Sequence, residues 1–245
     1  MQKSNTLIIG GSSTFGKAIA KELLLSNHNL LISCFKNGGK NEFAELVELS
    51  KVANNMLNVE KLDILDELQI KKIIESSRIK FNNIVYSVGT PIEFKSIDKD
   101  NLDNLEKQLY IHIRGLWLIV NRLIKEKHPL KSILVIGSSC LFGVPPSRLS
   151  SYTIGKYGQL GLVRCLANEF AAKGIRVNMI SPGVSGEGLS SIYPETFLGL
   201  VKSQTPLRRL VTSKDVARLA GFLLSDETEY ITGLNIPVDG GLHVM

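Results

Sequence analysis

Cysteine is scarce in this chain, and long hydrophobic runs are missing. The three cysteines, Cys34, Cys140 and Cys165, stand far apart, with neither the close spacing of a metal site nor the even number of a disulfide framework. The longest apolar run near the middle, Leu116 to Val120, falls far short of the roughly 20 residues that a membrane helix needs. A β-prone run begins as early as Thr6, which leaves no room for a secretory signal peptide. Basic residues are not clustered with aromatic ones, so nucleic acid is not an expected partner. These absences predict a cytoplasmic protein with no metal, no nucleic acid and no membrane attachment.

What is present suits an ordinary globular chain. Its 245 residues are 44% hydrophobic and 21% charged, enough for one α/β domain with a substantial core. The net charge of +6 at pH 7 reads as a solvated lysine-rich surface. It would equally serve an acidic protein partner or a phosphorylated cofactor.

Short apolar strands alternate with helical patterns along the whole chain. Thr6 to Ile9 is a strand, followed by Gly10-Gly11-Ser12-Ser13-Thr14-Phe15-Gly16 and a helical run from Lys17 to Ser26. That order of strand, glycine turn and helix exposes backbone N–H groups where a pyrophosphate is stabilised by them and by the helix dipole. Further strands are expected at Leu30 to Cys34, Met56 to Val59, Asn83 to Ser87, Ser132 to Gly137, Ile175 to Ile180 and Gly233 to Val238. Helices are expected at Glu42 to Ser50, Glu67 to Ser77, Leu102 to Lys127 and Ser150 to Phe170. Repeated βα units with continuous apolar strands predict an α/β fold. It is a single Rossmann-type doubly wound parallel sheet of about seven strands, helices on both faces, in one domain over residues 1–245.

The helix from Ser150 to Phe170 carries the chemistry. Tyr152 and Lys156 are four residues apart and stack on one helical face. An ammonium beside a phenol favours the phenolate, so the pair is expected to lower the tyrosine pKa. A tyrosine tuned in this way can move a proton at a carbonyl or alcohol.

Taken together, these features resemble the short-chain dehydrogenase/reductase family over essentially the whole chain. The matched residues are Gly10 and Gly16 in the turn, Asp63 after the third strand, and Ser139, thirteen residues before Tyr152. Tyr152-x-x-x-Lys156, Asn178 and Pro182-Gly183 complete the set. The ending LLSDETEYITGLNIPVDGGL is similar to that of 3-oxoacyl-carrier-protein reductases. The resemblance implies NAD or NADP as cofactor, on Gly10, Ser12, Ser13, Thr14, Phe15 and Gly16, with Gly89, Tyr152, Lys156 and Pro182-Gly183-Val184. No acid follows the second strand until Glu42, and Lys36 is placed to accept a 2′-phosphate, which favours NADP(H) over NAD(H). As a solvated loop lysine it would carry no such preference. Asp63 would accept the adenine amino group, or cap the helix that begins near Glu67.

By the same resemblance Tyr152 is the general acid in reduction and Lys156 holds the nicotinamide ribose. Ser139 steadies the substrate oxygen, a role that passes to Ser138 if the loop register shifts by one. Residues from about 187 to 210 read as a lid over the substrate. Leu189, Ile192, Tyr193 and Phe197 would line an apolar site there, or form subunit contacts.

Several positions depart from the family. Thr14 replaces the middle glycine of the turn, where its hydroxyl would bind a phosphate or its bulk would weaken binding. Ile9 precedes Gly10 in place of Thr. Tyr86-Ser87-Val88-Gly89 replaces Asn-Asn-Ala-Gly, and Glu187 stands where a Thr is usual. His112 replaces the asparagine of the proton relay, either relaying the proton itself or packing beside the site.

Three functions follow. The first is an NADP(H)-dependent reductase of a carrier-bound 3-oxoacyl thioester or related β-keto substrate, with an acyl carrier protein as partner. The second is a dehydrogenase of a free secondary alcohol. The third is a weakly catalytic partner subunit. The family usually forms tetramers, so a homo-tetramer or dimer is expected, with contacts drawn from Leu109, Ile113, Leu116 and Trp117 and from Leu162, Val163 and Leu166.

Overall fold

The computed structural model describes residues 3–35, 42–77 and 79–243. Seven parallel strands form one sheet in the order β3-β2-β1-β4-β5-β6-β7. They are β1 (Ser4–Ile9), β2 (His28–Cys34), β3 (Leu57–Lys61), β4 (Asn83–Tyr86), β5 (Ser132–Ile136), β6 (Arg176–Pro182) and β7 (Asn235–Val238). The order reverses beside β1, whose neighbours are β2 and β4. A crevice opens at such a switch point, outside the carboxyl ends of the strands.

Alternation along β1 divides the core between the two faces of the sheet. Leu7 and Ile9 pack on the face covered by α3 (Glu67–Ser76), α4 (Leu102–Leu109), α5 (Gly115–Lys125) and α6 (Ser150–Phe170). Ile8 faces α1 (Thr14–Leu25), α2 (Ala44–Val52) and α8 (Ser213–Leu224). Between α6 and α8 lies α7 (Glu195–Gln204), so the expected lid contains a helix. The α8 helix was not expected from the apolar pattern, although Thr212 and Asp215 form a capping box at its start.

The long helix expected from Leu102 is interrupted. A single π-turn, Tyr110–Arg114, separates α4 from α5. Gly115 N–H reaches back to the Tyr110 carbonyl, and the Tyr86 hydroxyl of β4 donates to the Ile111 carbonyl. Gly115 allows this approach, because a Cβ there would lie 2.6 Å from the Tyr86 hydroxyl. The departure at Tyr86 thus supplies the donor that a widened helical turn requires.

Some residues expected at a subunit contact belong to the core: Leu116 and Val163 are fully buried, and Leu166 nearly so. Trp117 remains exposed on α5, as do Ile154 and Tyr157 on α6.

Candidate active site

A cavity of about 630 Å³ runs along the carboxyl ends of the strands, within the size range of small-molecule sites. At one end it is bounded by Gly10, Ser12, Ser13, Thr14 and Phe15, and at the other by Tyr152 and Lys156. Gly10 has φ +79, and a Cβ on it would lie 2.5 Å from the Ser87 carbonyl oxygen. Only glycine fits there. Ser13 caps α1, accepting from Gly16 N–H at 3.0 Å. The first turn of α1 therefore presents backbone donors to the cavity in the manner of a phosphate cradle. These residues fit the pyrophosphate of a dinucleotide.

The remaining residues named for the cofactor divide between lining and flanking. Gly89, Pro182, Gly183 and Val184 line the cavity. Gly16 packs behind the turn, where a Cβ would lie 2.5 Å from the Gly10 carbonyl oxygen. Lys36 lies outside the described residues. Asp63 is not among the lining residues; its carboxylate accepts from Leu65 N–H at 2.9 Å. The cap of α3 is Asp66, which accepts from the N–H groups of Leu68 and Gln69. The helix-cap alternative thus belongs to Asp66, because the chain makes one further turn after β3 before the helix begins.

Thr14 opens α1 and meets the lid. A Cβ on Gly188 (φ +57) would collide with the Thr14 hydroxyl, and one on Gly89 would lie 2.6 Å from Leu189 Cδ1. The 3-10 turn Gly188–Ile192 therefore closes on the nucleotide turn and on the end of β4. Leu189, Tyr193 and Phe197 line the cavity; Ile192 does not, and is exposed. Tyr193 stacks on Phe197 with ring centroids 4.6 Å apart and meets the edge of Phe94 at 5.4 Å.

At the reacting end, Lys156 is 3% exposed. Its ammonium donates to the Ile136 carbonyl at 3.0 Å and to Gln159 Oε1 at 3.1 Å, and stands 6.0 Å from the Tyr152 ring centroid. Burial lowers the lysine pKa from 10.5 to about 8. The expected lowering of the Tyr152 pKa is not what this geometry produces. Burial pushes the phenol well above 10, the Cys140 thiol adds to the rise, and a Ser138 hydrogen bond opposes it. The lysine is directed at β5 and Gln159 rather than at the phenol, so desolvation dominates. Tyr152 is thereby held protonated, the state in which it can donate.

Ser138 and Ser139 both line the cavity. Ser138 is extended (φ −163, ψ 148) and continues the line of β5. Ser139 instead begins a 3-10 turn through Leu141 that is capped by the Ser138 hydroxyl. The Ser138 hydroxyl is near enough to Tyr152 to act on its phenol, and Ser139 borders the same cavity one residue further on. Both serines named from the sequence thus border the site.

His112 lies on the π-turn, fully buried, with its ring edge-on to Tyr152 at 5.9 Å and 80°. Neither ring nitrogen has a partner among the described residues. Burial, and then the Lys156 charge, hold its pKa well below 6.5, so the ring is neutral. Residues that the sequence did not single out also border the cavity: Phe35, Cys140, Leu242 and His243. His243 Nδ1 lies 2.8 Å from Asp239 Oδ2. No motif marks these four; each is brought in by a neighbouring strand end.

Comparison with known proteins decides the family. Residues 10–243 match the family profile described as enoyl-(acyl carrier protein) reductase. The chain belongs to the short-chain dehydrogenase/reductase family. Among relatives, the 3-oxoacyl-[acyl-carrier-protein] reductase FabG of Buchnera aphidicola is 28% identical, over 99% of this chain and 98% of that protein. The uncharacterized oxidoreductase YmfI of Bacillus subtilis is 27% identical, over 97% of this chain and 98% of that protein. A solved short-chain dehydrogenase/reductase from Serratia marcescens superposes with a TM-score of 0.88 at 20% identity, over 99% of this chain and 98% of that one. The protein is thus an NAD(P)(H)-dependent oxidoreductase with a Rossmann-type fold. No helix among the described residues is long and apolar enough to cross a membrane.

Proposed function

We propose that this short-chain reductase uses NADP(H) to reduce a 3-oxoacyl thioester on an acyl carrier protein, or a related β-keto substrate, to the 3-hydroxy product. The observation that carries the reading is a phenol kept protonated by burial, next to a buried lysine, at the far end of a cavity that begins in a phosphate cradle. Similarity to a FabG reductase supports the thioester, and a net charge of +6 suits an acidic carrier. The lack of an acid between Cys34 and Glu42 supports NADP over NAD.

The nicotinamide, when bound, supplies the hydride that reaches the carbonyl carbon. Ser138 donates a hydrogen bond to the substrate oxygen and stabilises the charge that develops there. Tyr152 gives its hydroxyl proton to that oxygen, so that C=O becomes CH–OH. Lys156, charged below about pH 8, neutralises the phenolate left behind and holds the ribose hydroxyls. Reprotonation of Tyr152 draws its proton from solvent, with neutral His112 beside the phenol as the residue that would pass it on, accepting at one ring nitrogen and donating at the other. The exposed faces of α5 and α6 around Trp117, Ile154 and Tyr157 would join copies into a homo-tetramer, which light scattering on the purified protein checks.

The deciding experiment follows NADPH consumption by purified protein given a 3-oxoacyl thioester, free and carrier-bound. Turnover is expected with NADPH, weaker turnover with NADH, and a loss of at least about 100-fold in Tyr152→Phe. NADPH binding without turnover of either thioester would sink the thioester reading. Activity on free secondary alcohols would then identify a dehydrogenase. Turnover that appears only on adding a related chain would identify a partner subunit.

A further inference from the structure

The buried face of α6 carries one polar side chain that none of these roles uses. Gln159 is fully buried, one helical turn beyond Lys156, on a stripe that continues as Leu160, Val163 and Leu166. A buried amide is costly unless it is hydrogen-bonded. Among the described residues its side chain makes a single bond, from Lys156 Nζ to Gln159 Oε1 at 3.1 Å. Its amide nitrogen has no partner among the described residues. The reverse orientation would turn an NH2 group onto an ammonium, donor against donor.

We propose that Gln159 is a positioning residue whose amide oxygen holds the Lys156 ammonium against the end of β5, where the lysine meets the cofactor. The inference rests on Lys156 serving the cofactor, not on the identity of the reduced substrate. An ammonium has three N–H donors. The Ile136 carbonyl takes one and Gln159 a second. The third has no protein partner among the described residues and is the donor left for a ribose hydroxyl.

The charge on Lys156 depends on those two dipoles. The titratable groups facing it are the Cys140 thiol from the turn after β5, Tyr152 from its own helix and His112 from the π-turn. Burial raises the thiol and the phenol and lowers the imidazole. All three are therefore neutral at pH 7, and among the described residues no carboxylate compensates the ammonium. Removing the Gln159 oxygen leaves one acceptor and favours the neutral amine. A carboxylate in its place does the opposite.

The test is an NMR titration of the lysine side-chain Cε signals in cofactor-free protein, with the Lys156 signal assigned by its loss in Lys156→Met. Gln159→Leu should lower the Lys156 midpoint by about one pH unit, the worth of a hydrogen bond to a charged group. Gln159→Glu should raise it. NADPH binding, followed by its fluorescence, should weaken about tenfold in the leucine variant by the same reckoning and recover in the glutamate variant. A midpoint unchanged in both variants would overturn the proposal, since a merely structural role moves the melting temperature and not the lysine. If Gln159→Leu does not fold, the glutamate variant decides: an unshifted or lowered midpoint refutes the proposal. No keto substrate enters these measurements, so failure of the thioester reading leaves their outcome intact.

Discussion

The hydroxyls of Ser13 and Ser87 lie 2.9 Å apart and tie the glycine turn after β1 to the end of β4. Ser13 also caps α1, so one side chain serves two elements on either side of the nucleotide crevice. Ser13→Ala should lower stability by about 1–2 kcal/mol, losing the cap and the cross-link together. Ser87→Ala should cost less, because Gly16 N–H keeps its acceptor. Urea denaturation of both single variants and the double variant checks this. The double variant should be less destabilised than the sum of the singles, and strict additivity would show that the two hydroxyls do not interact.

Assigning the substrate oxygen to Ser138, at the strand tip, predicts that the two adjacent hydroxyls differ in function. Ser138→Ala should lower kcat by about 10²-fold, the usual loss on removing a donor to a developing oxyanion. Ser139→Ala should stay within a few-fold of the parent. Both serines line the same cavity, so cofactor binding should be similar in the two variants. Steady-state kinetics with NADPH and a reducible ketone decide it, and the reverse ranking would return the role to Ser139.

Much of this arrangement is legible in the chain because backbone constraints leave signatures in residue type. Gly10 is a glycine because of its φ and the nearness of Ser87, and the strand runs are apolar because both faces of the sheet are covered. Tyr152 and Lys156 share a face by helical spacing alone. Features set by a one-residue shift are not legible. Thirteen residues separate Ser139 from Tyr152, yet Ser138 stands beside it where the strand line continues through Gly137, whose N–H bonds to the Ile180 carbonyl at 2.7 Å, and spacing does not choose between the two. The α3 cap falls three residues later than Asp63, at Asp66, because the chain makes a further turn after β3. The π-turn is invisible because its support comes from Tyr86, a residue of another strand. The Tyr152 pKa is not legible either, because spacing gives the nearness of a charge but not the desolvation that outweighs it.

Besides His112, two further buried histidines make the fold sensitive to acid. His28 Nδ1 lies 2.9 Å from the Thr6 hydroxyl, and His128 Nδ1 accepts from Phe81 N–H at 3.0 Å while its ring stacks on Phe81. Burial lowers both pKa values from 6.5 to about 4. Above pH 6.5 both are neutral in the folded and unfolded states, and their contribution is fully present. Between pH 6.5 and 4 the unfolded chain takes up protons on these rings, as on His112, that the folded chain refuses, so stability falls as the pH falls. The loss should approach about 2–3 kcal/mol for His28 by pH 4, and less for His128, whose ring is less enclosed and better screened by solvent. Denaturation at pH 7.5 and 5 should show the fall, and His28→Asn should flatten its slope. An unchanged midpoint would mean that these rings are hydrated in the folded state.

The Tyr86 hydroxyl and the Ile111 carbonyl link β4 to the turn that carries His112. Tyr86 is fully buried, and burial pushes its phenol well above 10, so it donates at every physiological pH. Tyr86→Phe removes the donor without changing the ring and leaves a buried carbonyl unpaired, at a cost of about 1–3 kcal/mol. The carbonyl is exposed to this loss because a π-turn breaks the ordinary i to i+4 ladder around it. A return to regular helix would rotate His112 by part of a turn and move its ring from the edge of Tyr152. Turnover should therefore fall along with stability, whereas NADPH affinity, set by the glycine turn and Lys156, should hold. Equal losses in affinity and turnover would place the effect of Tyr86 in the sheet rather than in the turn that bears His112.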